Sequence, residues 1–393
     1  MKGDSLAIIK FLWELKLLLL KLAVWGVGIF FPRRRLPRVL IIKPDHLGDF
    51  LISLSAFQGL CRHYRDRGYR ITILVSSFNR PLAEASPLFD EVICCNMLHA
   101  DFTFPKRYRL YRRLYSERFS VVIDPQYFPG SYQRSHTMAL LCRARCCCTV
   151  FNFTMIPAVL TPRERYLKVD RWRKHFSLFF EDTSPSVMEA GFRFAERICG
   201  QRFPRCLYAD GFGELPSPPS LPHDYYVVVP GAASRRPWPI ARFAELIERI
   251  HRQHPGAVAV LTGGGNEAHL GEELRKTVPA EIPLVDRIGA STLLELCAIF
   301  RSARFIVTND TGTAHLAPLM STPGVVISGG WHVGAYLPNP LYPGMHCLFH
   351  RMECGNCGWK KCLHERDGVD GCVAEISVDE VMRVVDELKL PSA

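Results

Sequence analysis

The sequence predicts an α/β protein built as two doubly wound, mainly parallel-sheet domains in series. Three observations carry this. The chain has 393 residues, more than one ordinary core holds, and two domains of about 150–200 residues each are the natural division. Short β-branched runs alternate with helical patterns in both halves, the order that yields parallel strands. Between the two series, residues 204–222 turn rich in Pro, Gly and Ser (GFGELPSPPSLP), the composition of a linker.

Hydrophobic residues make up 48% of the chain and charged residues 22%. With no low-complexity tract and no repeat, that composition excludes a disordered chain and a solenoid. A net charge of +11 favours anionic partners without separating nucleic acid, lipid and phosphorylated substrate. Nine Lys or Arg lie between Lys106 and Arg145, against only Glu117 and Asp124. That stretch reads either as a solvated basic face or as a docking surface for an acidic acceptor. The fifteen cysteines are spread along a long chain and include the run Cys146-Cys147-Cys148, which fits a reducing compartment better than a disulfide scaffold.

Residues 1–36 stand apart as a membrane-associating helix and basic linker. The apolar stretch 6–31 is interrupted by Lys10, Glu14, Lys16 and Lys21, so no run of 18 uncharged residues exists to span a bilayer. Pro32-Arg33-Arg34-Arg35 follows, where a secretory signal needs small residues for cleavage. An amphipathic helix at an anionic interface is expected, each basic residue contributing about 1 kcal/mol near the surface. A short or tilted span and a helix packed on the protein itself are the alternatives.

In the first domain, 37–215, Arg38–Ile42 reads as a strand that ends in Lys43-Pro44-Asp45-His46-Leu47-Gly48-Asp49 and enters a helix over Phe50–Tyr64. Strand-like runs follow at Ile71–Val75, Glu91–Cys95 and Val121–Asp124. In the second domain, 216–393, the predicted order is strand Tyr225–Val229, helix Ile240–His251, strand Ala257–Leu261, helix Glu267–Lys276, helix Thr292–Ser302, and strands Phe305–Val307 and Val325–Ser328. Ligands of such sheets sit beyond the carboxyl ends of the strands.

Three strand-end loops of the second domain combine small residues with donors or charges. In Pro230-Gly231-Ala232-Ala233-Ser234-Arg235-Arg236-Pro237-Trp238-Pro239, small residues admit a ligand to the backbone and two arginines can engage phosphate oxygens. A proline-rich turn with surface arginines is the bland alternative. Gly263-Gly264-Gly265-Asn266-Glu267 loosely imitates a dinucleotide fingerprint, but it occupies the second βα turn where the fingerprint belongs to the first. Read for a sugar nucleotide, Glu267 is a carboxylate for ribose hydroxyls. Asn309-Asp310-Thr311-Gly312-Thr313-Ala314-His315 follows a strand and opens a helix, where free N–H groups and the positive dipole end can receive a diphosphate. By itself it also reads as a simple cap.

The sequence resembles glycosyltransferase family 9, the lipopolysaccharide heptosyltransferases. The resemblance rests on LIIKPDHLGDFLISLSAF, PG…RPWPIARFAEL, LTGGGNE and LLELCAIFRSARFIVTNDTGTAHLAPLMSTPGVV, in order over about residues 38–375, with 100–220 poorly covered. It implies a GT-B-like fold, two Rossmann-like domains facing a cleft, with acceptor on the first and an ADP-activated sugar on the second. It implies Asp49 as general base for inverting transfer of a heptose or related sugar to a lipopolysaccharide-type or other anionic lipid-linked glycan. Gly231, Ala232, Arg235, Arg236, Gly263, Gly264, Glu267, Asp310, Thr311, Gly312, Thr313 and His315 would bind the donor, and Lys43, His46, Gly48 and Arg134 the acceptor. No cofactor is required for the chemistry. The working place implied is the inner face of the cytoplasmic membrane, with no nucleic-acid partner.

Three departures from the family pattern stand out. Arg236 replaces a common lysine, Ser55 stands where proline is usual, and Pro318 falls inside the helix expected after His315 and should shorten or kink it. The tail Cys354-x2-Cys357-x4-Cys362-x9-Cys372 has ligand-like spacing for a structural zinc, and equally suits buried or redox-labile thiols. Two other functions compete. A nicotinamide-dependent oxidoreductase would use the Gly263 loop, and a non-catalytic sugar-nucleotide-binding protein would not depend on Asp49.

Overall fold

The structure is a computed structural model that describes residues 2–30, 35–96, 103–126, 133–152, 161–218, 220–233, 236–355, 357 and 362–388. Arg235 lies outside the described residues, as do Pro32, Arg33 and Arg34. The chain divides into two units: residues 1–46 with 53–204, and residues 47–52 with 205–393. The division falls at the start of the expected linker, and residues 1–36 belong to the first unit instead of standing apart.

The first unit runs α1 (Lys2–Trp25), a 3-10 turn (Gly26–Phe30), β1 (Leu36–Lys43), α2 (Leu47–Arg65), β2 (Arg70–Val75), α3 (Arg80–Ala85), β3 (Glu91–Cys94), α4 (Phe104–Ser116) and β4 (Phe119–Asp124). It continues through α5 (Gln133–Leu141), β5 (Cys146–Asn152), α6 (Pro162–Arg165), a π turn (Tyr166–Asp170), α7 (Arg171–Arg173), β6 (Leu178–Asp182) and α8 (Val187–Cys199). Its six strands are parallel in the order β3-β2-β1-β4-β5-β6.

The second unit runs β7 (Tyr225–Val229), α9 (Ile240–Gln253), β8 (Val258–Leu261), a 3-10 turn (Gly265–Glu267), α10 (Ala268–Thr277), β9 (Leu284–Asp286), α11 (Leu293–Ser302) and β10 (Ile306–Asn309). Then come α12 (Gly312–Leu319), β11 (Gly324–Ile327), β12 (Met345–Leu348), α13 (Gly371–Ala374) and α14 (Val378–Glu387). Its sheet is also parallel, in the order β12-β11-β10-β7-β8-β9. Numbered within each unit, both sheets have the strand order 3-2-1-4-5-6 of a Rossmann-like fold.

The central strands read as unbroken apolar runs because helices cover both faces, and all five residues of β7 are buried. Tyr226 stacks on Phe305 at 5.0 Å, and Trp238 meets Phe243 edge-on at 5.0 Å. Pro318 sits one residue before the end of α12, which spans only Gly312–Leu319. The missing amide donor cuts the helix short, as its position in the sequence implies.

The amino-terminal helix forms, and part of it is packed on the protein. Leu17 and Val24 enter the core of the first unit. Trp13 meets Trp172 edge-on at 5.2 Å, Glu14 pairs with Lys174 at 2.5 Å, and the Trp25 indole donates to the Leu141 carbonyl at 2.9 Å. Among the described residues no helix is long and apolar enough to cross a membrane.

Candidate active site

In the second sheet the strand order reverses between β7 and β10, and the crevice beyond such a reversal is where a doubly wound sheet receives its ligand. The loops leaving those two strands are 230–239 and 310–311, and the glycine loop after β8 adjoins them. Asn309, the last residue of β10, ties the first and third loops together. Its Nδ2 donates to the Pro230 carbonyl at 2.7 Å and to the Gly231 carbonyl at 3.4 Å, while its Oδ1 accepts from the Trp238 backbone N–H at 3.1 Å. Glu267 joins the second loop to the first. It accepts from the Gly264 N–H at 2.7 Å, and its carboxylate lies so close to Gly231 that a Cβ there would overlap it. A Cβ on Gly263 would stand 2.7 Å from the same carboxylate. A side chain at either glycine would therefore have to displace the Glu267 carboxylate.

The third loop opens α12 with a chain of hydroxyls: Thr308 to Thr313 at 2.8 Å, and Thr311 to Thr313 at 2.6 Å. Thr311 is extended and makes no side-chain cap. The first N–H groups of α12 are thus left without a side-chain cap from Thr311, at the positive end of a helix dipole, the kind of helix start that accepts phosphate. Asp310 accepts a 2.8 Å hydrogen bond from Ser328 at the end of β11. Burial pushes its carboxyl above the usual carboxylate range, against the Ser328 hydrogen bond and the Arg236 charge. Arg236 donates from Nε to the Ala233 carbonyl at 3.0 Å and lies over the Trp331 ring at 5.6 Å.

His315 is buried, which pushes its imidazole down to about 4 and keeps it neutral near pH 7. Among the described residues its Nδ1 has no hydrogen-bond partner. The first turn of α2, which belongs to this unit, rests against the start of α12. A Cβ on Gly48 would come 2.9 Å from His315 Cδ2, and one on Gly312 would come 2.9 Å from Leu47. Asp49, half-buried, follows Gly48 in that turn. Asp49 was expected to belong with the first domain, and its turn groups with the second unit, against the start of α12.

The structure thus brings Gly231, Gly263, Gly264, Glu267, Asp310, Thr311, Gly312, Thr313, His315, Gly48 and Asp49 together in one unit, with Ala232 and Arg236 in the first loop. Asn309, Ser328 and Trp331 join them without having been marked as site residues. Only the isolated Ser at the end of a Val-Val-Ile strand, ahead of two glycines, hinted at one of them.

The other residues expected at the acceptor lie in the first unit. There the strand order reverses between β1 and β4. Lys43 and Asp45, each 2% exposed, form an ion pair at 2.5 Å. Lys43 also donates to the Pro125 carbonyl, Gln126 donates to Asp45, and Asn79 donates to the Asp45 carbonyl at 2.9 Å. The Lys43 ammonium is therefore held inside the strand-end loop. His46 and Arg134 are exposed. A second buried group, Asp124 with His136 Nδ1 at 2.6 Å and the Ser135 hydroxyl at 3.1 Å, was not legible as a motif.

Of the tail cysteines, Cys372 is buried in the core of the second unit, while Cys354, Cys357 and Cys362 are half-buried. Burial pushes the Cys372 thiol up, helped by Asp370, Cys362 and Cys357. Among the described residues no group of three or more His, Cys, Asp or Glu is arranged to hold a metal ion. Residues 356 and 358–361, between these cysteines, lie outside the described residues.

The chain is similar to known proteins along most of its length. It is 23% identical to lipooligosaccharide heptosyltransferase 2 of Haemophilus influenzae over 305 residues, covering 74% of this chain and 83% of that protein. It is 24% identical to lipopolysaccharide heptosyltransferase 2 of Salmonella typhimurium over 313 residues, covering 74% and 82%. Its fold matches that of E. coli ADP-heptose lipopolysaccharide heptosyltransferase II with a TM-score of 0.67 at 18% identity, over 89% of this chain and 98% of that one. It also matches E. coli heptosyltransferase WaaC with ADP-2-deoxy-2-fluoro heptose, with a TM-score of 0.63 at 16% identity, over 89% and 99%. Residues 145–350, just over half the chain, match glycosyltransferase family 9 (heptosyltransferase). That stretch contains all three loops, and the chain belongs to glycosyltransferase family 9, the heptosyltransferases.

Proposed function

We propose that the chain moves a heptose from ADP-heptose to an anionic, lipopolysaccharide-type glycan, with inversion at the anomeric carbon. The observation that carries this reading is the seating of the Gly48-Asp49 turn on His315 and Gly312, at the mouth of the diphosphate loop. The relatives named for ADP-heptose and for lipopolysaccharide support the choice of donor and acceptor.

In this reading the N–H groups opening α12 and the Arg236 guanidinium hold the diphosphate, and Glu267 accepts from the ribose hydroxyls. Neutral His315 offers Nδ1 to the donor. Asp49 takes the proton of the acceptor hydroxyl as its oxygen attacks the anomeric carbon. The bond from that carbon to the phosphate oxygen breaks, and its electron pair leaves with ADP. Fixed N–H dipoles and the arginine meet the growing charge there, and a fixed dipole needs no reorganisation during the step. A structural zinc among Cys354, Cys357, Cys362 and Cys372 would serve the tail alone, and no step depends on it.

The test is a transfer assay with ADP-heptose and a heptose-deficient core glycan, alongside thermal-shift measurements with ADP-heptose and NAD. Transfer, with stabilisation by ADP-heptose, is the expected result. Stabilisation by NAD alone overturns it, and donor binding without transfer to any glycan acceptor leaves a binding protein in its place.

A further inference from the structure

α1 has two unlike faces. One is held against the first unit by Trp13, Leu17 and Val24. The other presents Ile8, Phe11, Leu12, Leu15, Leu18, Leu19 and Leu22 to solvent, each between 39% and 67% exposed. Spaced at 100° per residue, these seven cover an arc of about 120° and a length of about 21 Å, and between Ile8 and Leu22 no charged residue falls within the arc. Single exposed leucines need no explanation, whereas a contiguous row does. A paired helix would cover a narrow a/d seam. Here the doublets Phe11-Leu12 and Leu18-Leu19 widen the row beyond such a seam, which suits a broad apolar medium.

Basic elements adjoin α1 at two levels along its length. At the end of α1, α4 is tied to it by Tyr108, which donates to the Ala23 carbonyl at 3.2 Å, by Arg112, which donates to the Val24 carbonyl, and by the Tyr115–Trp25 stack. Residues 104–116 hold five Lys or Arg and no acid, with Phe104 exposed. Nearer its middle, residues 163–174 meet α1 through Trp172 against Trp13, Lys174 with Glu14, and Tyr166 beneath Lys10. That segment holds six Lys or Arg against Glu164 and Asp170.

We infer that α1 and its two basic neighbours form a membrane-docking face whose occupant is the surface of an anionic bilayer. The apolar row of α1 enters the acyl boundary without crossing it, and the neighbouring lysines and arginines meet headgroup phosphates. Because the opposite face of the helix is built into the core, docking fixes the orientation of the first unit on the membrane, where a loosely tethered helix would leave it free. The inference does not rest on the transferase reading, and its test involves no sugar donor.

The full chain is sedimented with vesicles of phosphatidylethanolamine and phosphatidylglycerol, and separately with phosphatidylcholine vesicles. The expected result is partition onto the anionic vesicles that weakens with added salt. Phe11→Ser, Leu15→Ser and Leu19→Ser together, all at exposed positions, should lower that partition by about tenfold or more while the melting temperature stays unchanged. Arg163→Glu with Lys168→Glu should weaken binding to anionic vesicles alone. The inference is overturned if the triple variant sediments like the parent, if binding ignores lipid charge, or if the parent is a dimer that the triple substitution dissociates without changing vesicle binding.

Discussion

The Ser328 hydroxyl donates a 2.8 Å hydrogen bond to the half-buried Asp310 carboxylate, joining the end of β11 to the loop that opens α12. Ser328→Ala strands that acceptor in a site whose burial already disfavours its charge. The cost should be about 1–3 kcal/mol of unfolding free energy, read from urea denaturation. Ser328→Thr, which keeps the hydroxyl, should recover part of it. Donor affinity should fall with the Ala variant, and an unchanged dissociation constant for ADP-heptose would separate Asp310 from donor binding.

Gly231 and Glu267 offer a cleaner measurement because their contact is steric. Gly231→Ala forces the Glu267 carboxylate away from its place, and donor affinity should drop by about tenfold, or 1.4 kcal/mol. If the displaced carboxylate is the whole cause, adding Gly231→Ala to Glu267→Ala should cost almost nothing further. A double-mutant cycle by calorimetry reads this coupling directly.

Asp49→Asn preserves shape and removes the base. Turnover should fall by about 10²–10⁴-fold, with ADP-heptose affinity unchanged. A variant that loses donor binding together with turnover would assign Asp49 to the donor.

His315 supplies a pH dependence of known sign. Its folded-state value is depressed to about 4 by burial, against about 6.5 in an unfolded chain. The stability contributed by the neutral imidazole is therefore complete above pH 6.5. As the pH falls from 6.5 toward 4 the unfolded chain takes up a proton that the folded chain refuses, and about 1.4 kcal/mol is lost per pH unit. Unfolding curves at pH 7 and pH 5 should converge for His315→Gln relative to the parent. Equal pH sensitivity in both would show that His315 protonates while folded.

Much of this fold can be read in the chain because its buried strands are apolar runs between breakers. β7 is met residue for residue at Tyr225–Val229, where the linker ends and a Pro-Gly loop begins. β5 and β6 escape for physical reasons. Cys146-Cys147-Cys148 behaves as small buried apolar residues without the β-branched signature, and Leu178–Asp182 ends in two acids at the sheet edge. The three strand-end loops are visible because each is a short contiguous motif. The ties that assemble them are not, since Asn309 reaches back 79 residues to Pro230 and Ser328 lies 18 residues from Asp310. The division of α2 between the two units is equally invisible in a helical pattern that runs unbroken from Leu47 to Arg65.

The Trp238 indole donates to the Ile376 carbonyl at 2.9 Å, and Arg242 donates to the Ala374 carbonyl at 2.8 Å. Trp238 is also the residue whose backbone N–H is held by Asn309. Residues 374–376 are thereby a strut beneath the loop 230–239, more than a hundred residues downstream of it. A frameshift, a premature stop or a protease cut just ahead of Ile376 would spare every motif residue and still slacken the loop that carries Arg236. Such lesions should mimic donor-site mutations, and a truncated allele with intact motifs should not be assumed to be functional.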